Sequence, residues 1–324
     1  MLGKQSIRFE NPPYIINSGS IVGSKEGQGP LGKLFDKVGT DDMFGAQTWE
    51  EAESALQKEA LQIALNKENM KKEEIQLIFA GDLLGQSIAS SFGLASFHTP
   101  HVGLYGACST CGLSIAVGSI TVAGGFADKA ACVTSSHFAS AEKEFRFPLA
   151  YGNQRPMSST WTVTGSAAFI LASQAGKRAC AQVAGVTFGK IMDYGIKDSM
   201  NMGACMAPAA ADTIRQNLED FGRTPGDYDK IITGDLGKVG QRDARNRLSF
   251  VKACLTEQRA RRQEKNAPPD TFLYLFQNIS GQSNRRAAAA GTAGVRILFL
   301  TVKDLDDRRK QRGRGAFPVP VDSI

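Results

Sequence analysis

The spacing of apolar residues predicts a helix followed by a strand in the first third of the chain. Between residues 49 and 67, apolar side chains recur every three or four positions, as on the buried face of a helix. These positions are Ala52, Leu56, Ala60, Ile63 and Ala64. Residues 73–83, which read EEIQLIFAGDL, are then predicted to contain the strand that follows this helix.

The same order of helix and strand returns 153 positions later. A helix is predicted over residues 209–220, a connector over 225–229 and a strand over 230–233. The residues matched by this shift are Leu61 with Ile214, Leu65 with Leu218, Ile78 with Ile231, Gly81 with Gly234, Asp82 with Asp235, and Leu83 with Leu236. We therefore predict an internal duplication, with two halves built on one plan.

The segment between the two copies predicts a βαβ unit with a cysteine at the start of its helix. The expected elements are a strand at 102–105, a turn at 106–110, a helix at 113–122 and strands at 127–136 and 164–171. Cys108 lies in the turn. Free N–H groups and the helix dipole at such a position lower the pKa of a thiol or bind an anion. The alternative is that Cys108 is a small buried side chain in a tight turn.

Composition indicates a folded chain without a membrane-spanning segment. Of its 324 residues, 42% are hydrophobic and 22% charged, which suffices for one large domain or two fused halves. The longest weakly polar stretch, residues 112–127, is interrupted by serine, threonine and glycine. The first residues lack the basic, apolar and small-residue succession of a secretion signal, so we expect synthesis in the cytoplasm.

The six cysteines do not predict a metal site or a cofactor. Cys108 and Cys111 form the only C-x-x-C, and reduced thiols are expected in the cytoplasm. A redox pair or half of a zinc site remains an alternative, but no second cysteine pair or histidine cluster supplies further ligands.

The net charge of +6 is concentrated at the end of the chain. From residue 241 onward there are 17 Lys plus Arg against 8 Asp plus Glu, whereas the preceding residues carry a net charge of −3. This excess allows either a contact with an anionic membrane or nucleic acid, or a solvated tail. The tail is favoured and nucleic acid is not expected as a partner, since no aromatic residues interleave with the arginine runs.

The turn at Cys108, the small-residue helix after it and the strand that ends before His137 resemble the nucleophile region of the thiolase and ketoacyl synthase superfamily. A finer similarity, to the stage V sporulation protein AD family, rests on motifs spread over residues 9–240. In chain order these motifs read FENP, GQGPLGKLFD, AGDLL, LYGACST, EFRFP, TWTVTG, NMGA, MAPAAADT and GDLGKVG.

The resemblance implies a thiolase-like α/β fold, in which duplicated βαβ layers bury helices between two sheets. It places an N-terminal half at residues 1–175 and the start of a C-terminal half at 176–240. Residues 241–324 depart from the family pattern as an atypical Arg-rich segment, through either a reading-frame shift or divergence. The second half is therefore expected to be incomplete after its first helix and strand, with apolar surface left uncovered.

The resemblance also implies a function, which is the non-catalytic binding of dipicolinic acid, free or as its calcium chelate, for uptake into the developing spore. Expected partners are other stage V sporulation membrane proteins at the spore inner membrane, where the protein would be peripheral, and a further copy in a homo-oligomer. The alternative is an acyltransferase of the thiolase type with Cys108 as nucleophile. That chemistry needs an imidazole from the second half, whereas His98, His101 and His137 all lie in the first, so an enzyme is not expected.

A planar aromatic dianion needs donors for two carboxylates and a flat apolar wall. The candidate ligand residues are Cys108, Ser109, Thr110, His137, Arg146, Tyr151 and Trp161. Backbone groups at 108–110 are predicted to receive one carboxylate, Arg146 or His137 the other, and Tyr151 or Trp161 the ring. The alternatives are a structural ion pair for Arg146 and a core position for Trp161. Asp82 is a weak candidate for calcium accompanying the ligand.

Overall fold

A computed structural model describes residues 1–83, 85–145, 161–175, 179, 181–198, 201–228, 230–247, 271–280 and 294–304 of this protein. The strands are β1 (Ser6–Arg8), β2 (Tyr14–Val22), β3 (Lys37–Val38), β4 (Leu77–Asp82), β5 (His101–Gly103), β6 (Lys129–Ser136), β7 (Gly165–Ala172), β8 (Ala181–Phe188), β9 (Lys230–Ile232), β10 (Thr271–Ser280) and β11 (Gly294–Asp304). The helices are α1 (Ser24–Gly27), α2 (Trp49–Lys67), α3 (Ile88–Leu94), α4 (Thr110–Ala123), α5 (Phe138–Phe145), α6 (Met202–Phe221) and α7 (Gly237–Arg247). Short 3₁₀ turns lie at Gly32–Leu34, Lys72–Glu74, Ala95–Phe97, Ala107–Ser109 and Pro225–Asp227.

The strands form one sheet whose two parts repeat the same plan outward from its middle. From the middle outward, the first part runs β2-β7-β6-β4-β5 and the second runs β8-β11-β10-β9. β2 pairs antiparallel with β7 as β8 does with β11, and β4 pairs parallel with β6 as β9 does with β10. The predicted duplication is therefore confirmed. Within the ranges given above, β5 has no counterpart in the second part.

The helices repeat at the same interval of 153 residues. α2 begins at Trp49 and α6 at Met202, and both start from a residue whose side chain accepts a backbone N–H of the first turn. Thr48 caps α2 in a reciprocal arrangement with Glu51, and Asn201 caps α6 through the N–H of Ala204 at 3.2 Å. The start predicted for the second helix, residue 209, is wrong by seven residues.

Pro208 is the cause of that error. Proline lacks the N–H that an interior helical position donates, so it normally ends a helical pattern. Here α6 continues through Pro208, which is buried among small residues of the same helix. Burial of this apolar face outweighs the lost hydrogen bond.

α4 packs on both parts of the sheet. It contacts β4, β6 and β7 of the first part and β10 and β11 of the second. Gly118 allows the close approach to the first part, because a Cβ there would lie 2.8 Å from the Sγ of Cys132 and 2.9 Å from Leu171. α4 thus lies between the two parts of the single sheet, and this position fixes the turn that precedes it.

α2 covers the other face of the first part with a separate core. Leu56, Leu61 and Ile170 are fully buried there, each contributing about 1.5–3 kcal/mol by leaving water.

Within the described chain, no helix is both long and apolar enough to cross a membrane.

The predicted boundaries at residues 175 and 240 stay predictions. β1 pairs with β8, so residues 6–8 at the N-terminus complete the sheet of the second half. Asp220, near the end of α6, accepts the N–H groups of Lys4 and Gln5, each at 2.9 Å, and fixes this crossing. β10 and β11 lie in the segment 241–324 and were not predicted, while its arginine runs after residue 247 lie outside the described residues.

Candidate ligand-binding site

The turn before α4 is closed by its own side chains. The Ser109 hydroxyl donates to the carbonyl of Gly106 at 2.7 Å, and the Thr110 hydroxyl donates to that of Ala107 at 2.8 Å. The N–H of Gly106 donates back to the Thr110 hydroxyl at 3.1 Å. Ala107 has φ of 45°, a left-handed conformation that costs a residue with a Cβ about 1–2 kcal/mol. These bonds hold Cys108 in a fixed position at the entrance of the helix.

Hydrogen bonds within the turn reduce the number of N–H groups that it can offer to an anion. The N–H of Ser109 donates to the carbonyl of Gly106 at 2.9 Å, and that of Thr110 donates to the carbonyl of Ala107. The hydroxyls of both residues are buried and occupied within the turn. Of the three residues predicted to receive a carboxylate, Cys108 alone keeps a backbone N–H outside these bonds, and that N–H lies beside its own sulfur.

The Cys108 thiol is a weak nucleophile in this setting. Its side chain is exposed, although many protein atoms lie around it. Burial raises its pKa to about 11, and the nearby Asp235 carboxylate adds to the effect. At pH 7 only about one such thiol in 10⁴ is ionised.

His137 is buried and hydrogen-bonded within the protein. Its ring is 1% exposed, its Nδ1 accepts the N–H of Ala139 at 3.2 Å, and its Nε2 lies 2.7 Å from the carbonyl of Asp42. Because Nδ1 is the acceptor, Nε2 carries the proton and donates to Asp42. In the described chain no hydrogen bond joins a histidine to Cys108. The prediction that His137 receives a carboxylate stays a prediction.

The repeated aspartates of the duplicated motif act as helix caps. The two oxygens of Asp82 accept the N–H groups of Ser87 at 3.2 Å and Ser90 at 3.4 Å, at the start of α3. Asp235 accepts the N–H of Gly237 at 2.8 Å, at the start of α7. The suggestion that Asp82 holds calcium is thus not supported, since both its oxygens are engaged and the described residues contain no cluster of metal ligands around it.

A buried acid on α2 was missed by the sequence analysis. Glu53 is 3% exposed and accepts the hydroxyls of Ser135 at 2.9 Å and Ser140 at 2.6 Å. Burial raises its pKa to about 7, with Asp82 adding to the rise and the two hydroxyls and the N–H of Leu83 opposing it. The sequence signal that could have identified Glu53 is its place next to the apolar face of the predicted helix.

Of the two aromatic residues predicted to contact the ligand ring, only Trp161 lies within the described residues. Trp161 stacks on Phe138 with 4.9 Å between ring centroids, and the Nζ of Lys25 lies 3.5 Å from the centre of the indole. These contacts hold the Trp161 ring within the protein. Arg146 and Tyr151 lie outside the described residues.

Tyr105 was not predicted, although it immediately precedes the turn. Its side chain is 51% exposed. Partial burial raises the pKa of its hydroxyl, and the negative charges of Asp82, Cys108 and Glu144 raise it further. Tyr105 lies three residues before Cys108, and it was overlooked because it lies in the predicted strand rather than in the turn.

A cavity of about 540 Å³ lies at the other end of the strands. Its lining includes Glu68, Glu74 and Asp128, together with Lys129, the first residue of β6. Cys108 lies instead beyond the carboxyl ends of β4 and β6. Three carboxylates make this cavity unsuitable for a dicarboxylate.

The comparison with known families gives one match over most of the chain. The model of the family described as "Stage V sporulation protein AD (SpoVAD)" matches residues 3–262. The stage V sporulation protein AD of Bacillus subtilis (strain 168) is 45% identical over 240 residues, which is 74% of this chain and 70% of that protein.

Solved structures share the fold at low sequence identity. The 3-oxoacyl-[acyl-carrier-protein] synthase III of Aquifex aeolicus VF5 has a TM-score of 0.54 at 14% identity, covering 89% of this chain and 99% of its own. OleA of Xanthomonas campestris bound to cerulenin has a TM-score of 0.58 at 13% identity, covering 92% and 98%. These likenesses establish a thiolase-like architecture and carry no activity with them.

Proposed function

Because this chain belongs to the stage V sporulation protein AD family, we propose that it is a sporulation protein that binds dipicolinic acid without catalysing acyl transfer. One observation carries this proposal. The strand, turn and helix at Cys108 present an exposed thiol and a backbone N–H at a helix entrance, which suits a carboxylate, while the raised pKa of the thiol disfavours nucleophilic chemistry.

Electrostatics favour the calcium chelate over the free dianion. The charge of Asp235 raises the pKa of Cys108, and the charges of Asp82 and Glu144 raise the pKa of Tyr105, so these carboxylates act electrostatically on the turn and on the residue before it. They repel a ligand of charge −2, whereas a one-to-one complex with Ca²⁺ has no net charge. Arg146, which lies outside the described residues, is the predicted cation that would offset this repulsion for the free ligand.

Acyl transfer with Cys108 as nucleophile is the second candidate. The exposed thiol at a helix entrance, in a fold shared with 3-oxoacyl synthases, is the observation that favours it. Turnover of an acyl thioester that disappears in Cys108→Ala would establish this activity. We expect no such turnover, because no histidine is hydrogen-bonded to the thiol within the described residues.

The proposed location is the surface of the spore inner membrane, through other stage V sporulation membrane proteins. Self-association is proposed as well. β5 is an edge strand of the described sheet, and Ile88 and Phe92 lie one turn apart on the neighbouring α3 with exposed side chains. Light scattering of the purified protein and of Phe92→Asp tests this, with a fall in mass expected for the variant.

Calorimetric titration tests the ligand. We expect the whole chain to bind dipicolinate, more tightly with one equivalent of Ca²⁺. Cys108→Trp should abolish the heat of binding by occupying the space beside the helix entrance, whereas Cys108→Ser should retain it. Ser96→Trp is the matched control, since it adds the same bulk at an exposed position before β5. Absence of binding at millimolar ligand by the folded wild-type protein would overturn the proposal.

A further inference from the structure

Glu53 joins three elements of the first half inside the protein. It lies on α2 and is 3% exposed, and one of its carboxylate oxygens accepts the hydroxyl of Ser135 in β6 at 2.9 Å. The other oxygen accepts the hydroxyl of Ser140 in α5 at 2.6 Å. The Ser140 hydroxyl also lies 3.2 Å from the carbonyl of His137, so it keeps an acceptor when a protonated Glu53 becomes the donor. The same partners therefore satisfy both protonation states of Glu53.

A chain of contacts leads from this buried group to the turn before α4. The Nε2 of Gln57 donates to the Ser135 hydroxyl at 2.8 Å and to the carbonyl of Gly81 in β4 at 3.1 Å. The Cα of Gly81 faces the turn, since a Cβ there would collide with the carbonyl oxygen of Leu104 and would lie 2.7 Å from the Cγ2 of Thr110. One peptide unit therefore separates the buried hydrogen bonds from the turn that is proposed to receive a carboxylate.

Burial keeps the proton of Glu53 exchangeable near neutral pH. It raises the pKa of the carboxyl group to about 7, and the charge of Asp82 adds to the rise. Lys143 forms an ion pair with Glu50, so its charge is already matched. Between about pH 6 and 8, Glu53 therefore changes from mostly neutral to mostly charged. The titratable side chains at this end of the surrounding elements are Asp82 on β4, Asp42 in the loop before α2, Glu50 on α2, His137 before α5, and Glu142 and Lys143 on α5.

We propose that Glu53 makes ligand binding depend on pH, because its neutral form allows a free pyridine dicarboxylate to bind at the turn and its ionised form repels that ligand. This inference rests on the proposed function and adds its regulation by protons. Like charges separated by protein interact more strongly than the same charges in water. By thermodynamic linkage, a ligand that prefers the neutral form must draw protons into the protein as it binds. A one-to-one complex with Ca²⁺ has no net charge, so its binding should depend little on pH.

Calorimetric titration of the whole chain at pH 6, 7 and 8 tests this link. Free dipicolinate, in buffer without divalent metal ions, should bind about fivefold more weakly at pH 8 than at pH 6. Its calcium complex should change by less than about twofold over the same range. The carboxyl groups of the ligand stay ionised above pH 6, as ordinary carboxylic acids do, so they add no titration of their own. Two buffers of different ionisation enthalpy at pH 7 should reveal uptake of a fraction of a proton with the free ligand.

Three variants assign the effect to Glu53. Glu53→Gln keeps the shape of the neutral acid and should bind free dipicolinate equally at pH 6 and 8, without proton uptake. Glu59→Gln is the matched control, since it removes an exposed carboxylate about 9 Å along the same helix, and it should keep the pH dependence. Ser140→Ala removes a hydroxyl that stabilises the carboxylate, so the midpoint of the pH profile should move to higher pH. Circular dichroism at each pH verifies that the proteins are folded.

The outcomes separate this link from the proposed function. If Glu53→Gln keeps the pH dependence of the wild-type protein, or if the wild-type protein binds only the calcium complex, the role of Glu53 is overturned and ligand binding stands. Equal weakening of the free ligand and the calcium complex at pH 8 would also overturn it, because a charge effect distinguishes the two.

If Glu53→Gln does not fold, Ser140→Ala decides, and an unchanged midpoint overturns the role of Glu53. If the folded wild-type protein binds neither form of the ligand, the proposed function fails and this inference fails with it.

Discussion

α2 and α6 occupy equivalent places in the two halves but bury different chemistry. Both helices start from a capping side chain, and the strand that follows each ends near an aspartate that caps the next helix. At the matched interior positions, Glu53 corresponds to Met206 and Gln57 to Ala210. The first helix buries an acid and an amide, and the second buries apolar side chains only at these places.

This difference distinguishes the capping residues, which both halves need for the same fold, from the buried polar residues, which only the first half contains at these positions. Caps satisfy backbone groups that every helix of this kind exposes, so both copies need them. A buried acid needs its own partners, which Ser135 and Ser140 supply in the first half. Met206 lies in an apolar cluster with Ile214 and Leu218, where the same acid would have no such surroundings.

The largest effect is expected from placing the acid of the first half into the second. Met206→Glu puts a carboxyl group into an apolar cluster, and we expect the free energy of unfolding to fall by about 4 kcal/mol. Met206→Leu should cost less than about 1.5 kcal/mol because volume and polarity are nearly kept. Urea unfolding followed by circular dichroism measures both, and equal losses would show that α6 tolerates the chemistry of α2.

The next effect is a pH dependence that only the first half should show. The pKa of Glu53 is raised by burial from 4.5 to about 7, so the folded state holds the proton more tightly than the unfolded state. Its contribution to stability is fully present below pH 4.5 and is lost as pH rises through 7, by about 3 kcal/mol. Glu53→Gln should remove this slope in urea unfolding between pH 4.5 and 8. Parallel curves for the two proteins would contradict the assignment.

A smaller effect should distinguish the two capping aspartates. Asp82 is fully buried and accepts two N–H groups, whereas Asp235 is exposed and accepts one. We expect Asp82→Ala to lower the free energy of unfolding by about 2 kcal/mol and Asp235→Ala by about 0.5–1 kcal/mol. The asparagine variants keep an acceptor oxygen and should lose less in each case. Equal costs would mean that burial does not set the strength of the cap.

Much of the fold was predictable because its signals are local. The helix predicted at 49–67 is α2 residue for residue, and the strand predicted at 127–136 is β6 with two fewer residues at its start. The interval of 153 residues reproduces the starts of α6, β9 and the turn at Pro225–Asp227. β10 and β11, with 10 and 11 residues, are the longest described strands, and they were missed because they lie in a segment whose charge is dominated by arginine.

The site was less predictable because it depends on contacts between distant residues. The position of Cys108 at a helix entrance follows from the local order of strand, turn and helix, and it is confirmed. His137 instead turns to the carbonyl of Asp42, 95 residues earlier in the chain, which no periodicity reveals. The occupied N–H groups of Ser109 and Thr110 follow from the closure of a single turn, whose bonds a sequence pattern does not specify.

The smallest effect on stability is expected at a pair of thiols, one from each half. Cys108 at the entrance of α4 is exposed, and Cys205 in α6 is partly buried with a pKa raised by burial and by Asp193 and Asp198. Replacing Cys108 with serine should change the free energy of unfolding by less than about 0.5 kcal/mol, as at other exposed positions.

The rate of alkylation measures the reactivity of these thiols, which unfolding experiments do not report. Since the thiolate is the reactive form, iodoacetamide should modify Cys108 at pH 7 at least about a hundredfold more slowly than an unperturbed cysteine. The rate should rise about tenfold for each pH unit until pH approaches 11, the pKa set by burial. Mass spectrometry of the modified peptides follows Cys108 and Cys205 in one experiment. A rate for Cys108 that levels off below pH 8 would show that the turn stabilises the thiolate, and the first half would then carry a working nucleophile that the second half lacks.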